Sequence, residues 1–239
     1  MKYCNNNSKS TYRNRKWLYI EISTIEYPKA LDLQHKLVIA RREEIIVNDV
    51  ILFLEHPPVF TLGRRGGLNN LTVSEDFLEK AGIPVIQVER GGNITFHGPG
   101  QIVVYPIIDM RTARLGVADY VNSLEEVMIR TAADQGIMAE RNAVNRGVWV
   151  GMSKIGSLGI AVRNSVSFHG FALNVNTSME PFRWIHPCGL KGIHVTSMKR
   201  VLGKDISMEE VRHAIALHIQ EIFGVELVKV GLEDIYPLL

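Results

Sequence analysis

The chain has 239 residues, 46% of them hydrophobic and 22% charged, and a formal net charge of +2. That length lets folding remove roughly 70–75% of the extended chain's surface from water, so a core forms without disulfide or metal staples. The near-neutral balance gives no bias towards nucleic acid or an anionic membrane, and no apolar run approaches the ~20 residues of a membrane span. Two cysteines, Cys4 and Cys188, cannot build a disulfide framework and point to a reducing compartment.

Residues 1–16 are rich in Asn, Ser, Lys and Arg and contain no acid, so they read as a flexible basic tail. An organellar presequence is the alternative for such a composition. One domain is expected over 17–239. Trp17 to Ile22 alternates as a strand, Pro28 to Ile46 repeats apolar residues at helical spacing, and Val50 to Leu54 is a buried strand closed by His56-Pro57-Pro58. Ser74 caps a helix that Gly82 follows, and strands over Pro84 to Glu89 and Ile102 to Ile108 flank a glycine-rich turn. Asp119 to Gln135 reads as a helix capped by Asp119, with Gly136 at its end. Strands follow at Gly147 to Val150, Lys154 to Val162 and Ser167 to Val175. Ser207 and Glu210 form a capping box for a last helix that Gly224 stops, before a strand near Val225 to Val230. Grouped strands that do not alternate strictly with helices predict an α+β fold with a mixed, mainly antiparallel sheet packed against helices.

Four segments carry chemistry. Arg90-Gly91-Gly92-Asn93-Ile94-Thr95-Phe96-His97-Gly98-Pro99-Gly100-Gln101 holds four glycines and a proline in twelve residues. Such a backbone either turns a hairpin corner or forms a wall against which an extended substrate can lie. Its composition is neither a phosphate loop nor a dinucleotide fingerprint. Lys154 opens an apolar, glycine-spaced stretch through Ser157-Leu158-Gly159, as a snorkelling edge lysine or as a desolvated proton carrier. Ser167-Phe168-His169-Gly170-Phe171-Ala172 is a buried strand whose histidine is either a satisfied core residue or a catalyst. Cys188, between Pro187 and Gly189, is set in a turn and suits a nucleophile. His186, Cys188 and His194 lack the paired spacing of a structural zinc site, so no metal is expected.

Taken in order, these segments resemble the bacterial lipoyl(octanoyl) transferases, of the biotin/lipoate protein ligase fold. The likeness spans Trp17 to Ile222 and begins at Leu54-Glu55-His56-Pro57-Pro58-Val59-Phe60-Thr61-Leu62-Gly63-Arg64. It continues through Arg90 to Gln101 with Val103-Val104-Tyr105-Pro106, through Lys154-Ile155 and Ser167 to Asn174, and ends at Pro187-Cys188-Gly189 with Val195-Thr196-Ser197. Phe60 and Phe96 stand where the family also uses tyrosine.

The resemblance implies an acyltransferase with a cysteine–lysine dyad. Cys188 would carry the acyl group as a thioester, and Lys154 would activate it and act as general acid and base. Arg90 to His97, Ser157 to Gly159 and Gly170 to Ala172 would line the acyl channel. The implied donor is octanoyl-acyl carrier protein. The acceptors are lysines in the lipoyl domains of 2-oxoacid dehydrogenases and in the glycine cleavage H protein. No ATP, metal, nucleic acid or membrane enters, and the setting is the bacterial cytoplasm. A free cysteine near pKa 8.5 is only a few per cent thiolate at pH 7, which is why a partner is required. Backbone amides near Gly91, Gly92 or Gly189 are candidate oxyanion donors, typically contributing ~3–4 kcal/mol each. Arg64, Arg65, Lys191, Lys199 and Arg200 are candidate rim charges for acidic partners. The competing readings are an ATP-dependent lipoate or biotin ligase, an octanoyl amidotransferase between lipoyl-type domains, and a non-catalytic scaffold.

Overall fold

The computed structural model describes residues 15–143, 145–186 and 193–239. The described chain opens with strand β1 (Lys16–Glu21), helix α1 (Tyr27–Arg42) and strand β2 (Asp49–Leu54). Strand β3 (Val59–Leu62), helix α2 (Glu75–Lys80) and strands β4 (Val85–Gln87), β5 (Ile94–His97) and β6 (Gln101–Ile107) follow. Helix α3 (Val117–Asp134) leads into β7 (Glu140–Arg141), β8 (Val148–Val150), β9 (Ser153–Arg163) and β10 (Val166–Asn174). The chain closes with β11 (His194–Val195), α4 (Met198–Leu202), α5 (Met208–Phe223), β12 (Glu226–Lys229) and α6 (Leu232–Ile235).

The main sheet runs β12-β1-β2-β6-β10-β9-β8-β7, with β11 added beside β9, and a second sheet runs β4-β3-β5. In the main sheet β12–β1, β1–β2 and β11–β9 are parallel and the remaining pairs antiparallel. This is the expected α+β architecture. Alternation along the central strands decides which helix each residue meets. Ile51, Phe53, Ile102, Val104, Phe171 and Leu173 face α3 and α5, whereas Val50, Leu52, Leu54, Val103, Phe168 and Ala172 face α1. Both faces are therefore covered, and β2, β6 and β10 are buried along their whole length. Each large apolar side chain hidden there stabilises by about 1.5–3 kcal/mol relative to exposure.

Two helix ends follow the expected chemistry. Ser74 accepts from the Phe77 amide at 3.2 Å, and Ser207 from that of Glu210 at 3.2 Å before Gly224 closes α5 in the left-handed region at φ 62°. Helix α3 departs from expectation. Its N-cap is Gly116, so Asp119 sits inside the first turn, where its charge complements the helix dipole without capping. Two residues of the expected tail, Arg15 and Lys16, are described. Lys16 already belongs to β1 and pairs in register with Glu226, while Arg15 reaches the Thr112 carbonyl; residues 1–14 lie outside the described chain. Among the described residues no helix is long and apolar enough to cross a membrane.

Candidate active site

The glycine-spaced start of β9 is explained by what presses against it. A Cβ on Gly159 would lie 2.7 Å from the Gly91 carbonyl oxygen, so only glycine lets the 90–93 segment approach. That approach is fixed by the Gly91 amide, which donates to the Ile160 carbonyl at 2.9 Å. The 90–93 segment is held from its other side by the amides of Gly63, Arg64 and Arg65, which donate to the carbonyls of Asn93, Arg90 and Gly92. Arg90 itself is buried and donates from Nη2 to the Thr61 carbonyl and hydroxyl at 2.7 and 2.8 Å. Its guanidinium thus ties the wall to β3.

Between this wall and strands β9 and β10 lies a narrow cavity of about 60 Å³. All the residues expected to line a channel face it except Gly91 and Phe96. Gly91 instead borders a wider neighbouring cavity of about 830 Å³, which shares Gly92, Asn93, Lys154, Leu158 and Gly159 with the narrow one. Phe96 packs its ring against Phe60 at 5.3 Å and Phe182 at 5.5 Å, inside the core under the second sheet. It is a core residue. The Gly91 amide, spent on Ile160, is removed from the candidate oxyanion donors.

Lys154 stands where the two cavities meet and is only 4% exposed. Its Nζ donates to the Arg146 carbonyl at 2.5 Å and to Asn145 Oδ1 at 3.2 Å, and lies 5.6 Å from the centroid of the Trp149 ring. Gly147 makes room for it. With φ at 118°, a Cβ there would sit 2.5 Å from Lys154 Cε and 3.0 Å from Nζ. Parallel pairing sets Val195 beside Lys154, and the Thr196 amide donates to the Lys154 carbonyl at 2.9 Å. On the other side, His186 is anchored by its amide to the Asn70 carbonyl at 2.7 Å. Cys188, Gly189 and Lys191 lie outside the described residues.

One end of the narrow cavity is polar. Tyr27, His97, Tyr105 and His169 line it; His97 is among the expected channel residues, and Tyr27 and Tyr105 are additions that local periodicity does not reveal. His56 Nδ1 donates to the Ile25 carbonyl at 2.7 Å, so its Nε2 accepts from the Tyr105 hydroxyl at 2.8 Å. Burial pushes His56 down to about 4 and His169 to about 3, and pushes the Tyr27 phenol up to about 12. Burial, with His56 and Arg90 nearby, holds His97 well below the ordinary histidine range. All three histidines are neutral at pH 7. His97 Nδ1 meets Gln101 Oε1 at 2.8 Å, Gln101 Nε2 donates to Asn174, and Asn174 Nδ2 donates to the Thr196 carbonyl at 3.0 Å. A relay of side chains thus links the cavity wall to the segment that flanks Lys154. His169 is buried and lines the cavity, and its Nε2 has no hydrogen-bond partner among the described residues, so it is not a satisfied core histidine.

Of the rim candidates, Arg65 borders the wide cavity, Arg64 is exposed, and Lys199 pairs with Asp205 at 2.7 Å. Arg200 borders a third cavity of about 370 Å³, together with His186 and His194. Among the described residues no group of three or more His, Cys, Asp or Glu could hold a metal ion.

The family model for the lipoyl protein ligase A/B catalytic domain matches residues 26–220. A protein of Syntrophobacter fumaroxidans named octanoyltransferase is 48% identical over 94% of this chain and 98% of its own length. One of the same name from Desulfotalea psychrophila is 47% identical over 86% and 93%. Among solved structures, a putative lipoate protein ligase from T. acidophilum with bound lipoic acid superposes with a TM-score of 0.73 at 17% identity, covering 93% of this chain and 92% of its own. Biotin protein ligase from Aquifex aeolicus gives 0.51 at 13% identity, over 88% and 69%. Those two likenesses are of fold alone. The chain belongs to the lipoyl protein ligase A/B catalytic family and, within it, to the octanoyltransferases.

Proposed function

We propose that this chain, acting through residues 17–239 as one catalytic domain, moves an octanoyl group from acyl carrier protein to a lysine of lipoyl domains. The acceptors are those of 2-oxoacid dehydrogenases and the glycine cleavage H protein. Cys188 carries the acyl group as a thioester, Lys154 activates it, and neither ATP nor a metal takes part. The observation that supports this most is Lys154 itself: a buried amine shared by a narrow, partly apolar cavity and a wider one. Its strand is paired with the segment that returns from Cys188 seven residues on.

The chemistry follows from the groups. A protonated amine beside sulfur favours the thiolate, which attacks the donor's thioester carbon. The tetrahedral adduct collapses, the new carbon–sulfur bond stays on Cys188, and the carrier's thiolate leaves with the proton of Lys154, which is left as a neutral amine. Exchange of one thioester for another is nearly isoenergetic, so capture needs no nucleotide. The acceptor lysine then attacks the acyl-enzyme as a neutral amine. Lys154 takes the amine's proton, the amide forms downhill, and Cys188 leaves as thiolate. The narrow cavity, walled by Leu158, Phe171 and Ala172, suits the hydrocarbon tail. Mass spectrometry of the enzyme after incubation with octanoyl-acyl carrier protein, without nucleotide, is the test. An octanoyl adduct on Cys188 that a lipoyl domain then discharges is expected. No adduct on Cys188 in wild type or in a slowed Lys154→Ala variant overturns the reading.

A further inference from the structure

Glu125, in the middle of α3, is only 1% exposed, and the expected chemistry gives it no task. A carboxylate so far from water must be answered by donors. Three groups answer it. The Gly147 amide donates to Oε1 at 2.8 Å, Arg146 Nη1 lies 3.2 Å from Oε2, and Arg141 Nε lies 3.5 Å from the same oxygen. Two of those donors belong to the turn Asn145–Gly147, and that turn supplies two oxygens that receive Lys154 Nζ. Trp149 fixes the turn from the far side, its Nε1 donating to the Asn145 carbonyl at 3.1 Å.

We infer that Glu125 is a positioning residue for the reaction: through the Gly147 amide it sets the turn whose Arg146 carbonyl and Asn145 amide oxygen aim the Lys154 ammonium. The inference rests on the proposed Cys188–Lys154 reading and extends it to a third residue that touches no substrate. The geometry makes Oε1 the working atom. The Gly147 bond asks for an acceptor oxygen at that distance, whereas the pairs with Arg141 and Arg146 involve partly exposed side chains and are worth little. An amide can therefore replace the carboxylate, and a shorter acid cannot.

The test reads the pH dependence of iodoacetamide alkylation at Cys188 by peptide-resolved mass spectrometry, with kcat and KM for octanoyl-acyl carrier protein beside it. In wild type the midpoint should fall below that of an ordinary cysteine, ~8.5, and Lys154→Ala should raise it towards that value. Glu125→Ala should raise it by ~1 unit and lower kcat about 10-fold with KM within about 2-fold, while Glu125→Gln stays within about 0.3 units of wild type. Glu125→Asp, which keeps the charge and withdraws the oxygen, should shift as Glu125→Ala does and serves where the alanine variant does not fold. In the Lys154→Ala background Glu125→Ala should add nothing. A Lys154→Ala shift with Glu125→Ala and Glu125→Asp at the wild-type midpoint overturns the inference, as does Glu125→Gln shifting as far as Glu125→Ala. A Lys154→Ala midpoint equal to wild type overturns the dyad instead.

Discussion

Gly147→Ala perturbs Lys154 without touching it chemically, and its cost can be worked from distances. A backbone at φ 118° is open to glycine and strained for alanine by about 1–3 kcal/mol. The added methyl would also sit 2.4 Å from the Gly156 carbonyl oxygen and 2.5 Å from Lys154 Cε, so strand β9 must give way and the lysine end must retreat by roughly 1 Å to reach ordinary contact. Nζ starts 2.5 Å from the Arg146 carbonyl, and the same retreat stretches that bond to the limit of hydrogen bonding. Losing a charge-assisted bond there costs a further ~1.5–3 kcal/mol. Together, before the Gly156 contact is added, these give about 3–6 kcal/mol, or a melting temperature lower by about 6–24 °C for a chain of this size. A displacement of 1 Å at a proton-transferring group is worth about 100-fold in rate. The assay is single-turnover acylation of Cys188 by octanoyl-acyl carrier protein, run well below the variant's melting point. Acylation within about threefold of wild type in a folded Gly147→Ala variant would refute the claim that the position of Lys154 sets the rate.

Other expectations address the cavity, the core and acid stability. Phe96→Ala should destabilise by about 3–5 kcal/mol, measured by denaturant unfolding, and leave the apparent affinity for acyl chains unchanged, because the ring faces the core. Ala172→Leu adds bulk inside the narrow cavity, so transfer of octanoyl should fall at least 10-fold relative to butanoyl in competition assays; an unchanged ratio would place the tail elsewhere. His56 and His169 have folded pKa values near 4 and 3, below the unfolded value of 6.5. Their contribution is therefore fully present above pH 6.5 and is lost as pH falls towards 4 and below, at roughly 1.4 kcal/mol per pH unit for each ring. Melting temperatures measured from pH 7 to 4.5 should drop accordingly, and less steeply in His56→Gln.

The buried strands were legible because β2, β6 and β10 are covered on both faces and so spell continuous apolar runs. Helix ends were legible where a side chain closes them, as at Ser74 and Ser207. Strand β3 was hidden behind Pro57-Pro58, and β5 by the glycines around Ile94–His97, since turn signals mask strands of four residues. Asp119 misled because a glycine cap offers no side chain to read. In the site, the chain-local glycine wall was legible and its exceptions were not. Phe96 alternates out of the cavity, and the Gly91 amide is claimed by Ile160, a partner 69 residues away in sequence. Tyr27, His169 and Phe182 reach the cavity only through tertiary packing, and Glu125 looks like one more acid on an amphipathic helix.

The charges around Lys154 are arranged so that orientation and neutralisation are separate tasks. Two of the oxygens that receive Nζ, a backbone carbonyl and a side-chain amide, are uncharged, so they direct the ammonium without cancelling its charge. The carboxylate that steadies their turn acts through the Gly147 amide and has Arg141 and Arg146 beside it. A carboxylate bound directly to Nζ would hold it as firmly and spend its positive potential. In a poorly solvated cavity that potential is what makes a nearby sulfur anion affordable, since an unpaired thiolate there is penalised by desolvation. Replacing Asn145 with aspartate tests the argument directly. Asn145→Asp preserves the bond to Nζ and adds a charge, so it should stabilise the fold or leave it unchanged while slowing Cys188 acylation about 10-fold or more. Acylation as fast as in wild type would mean that the lysine acts as a proton carrier alone and that its field on the sulfur contributes nothing.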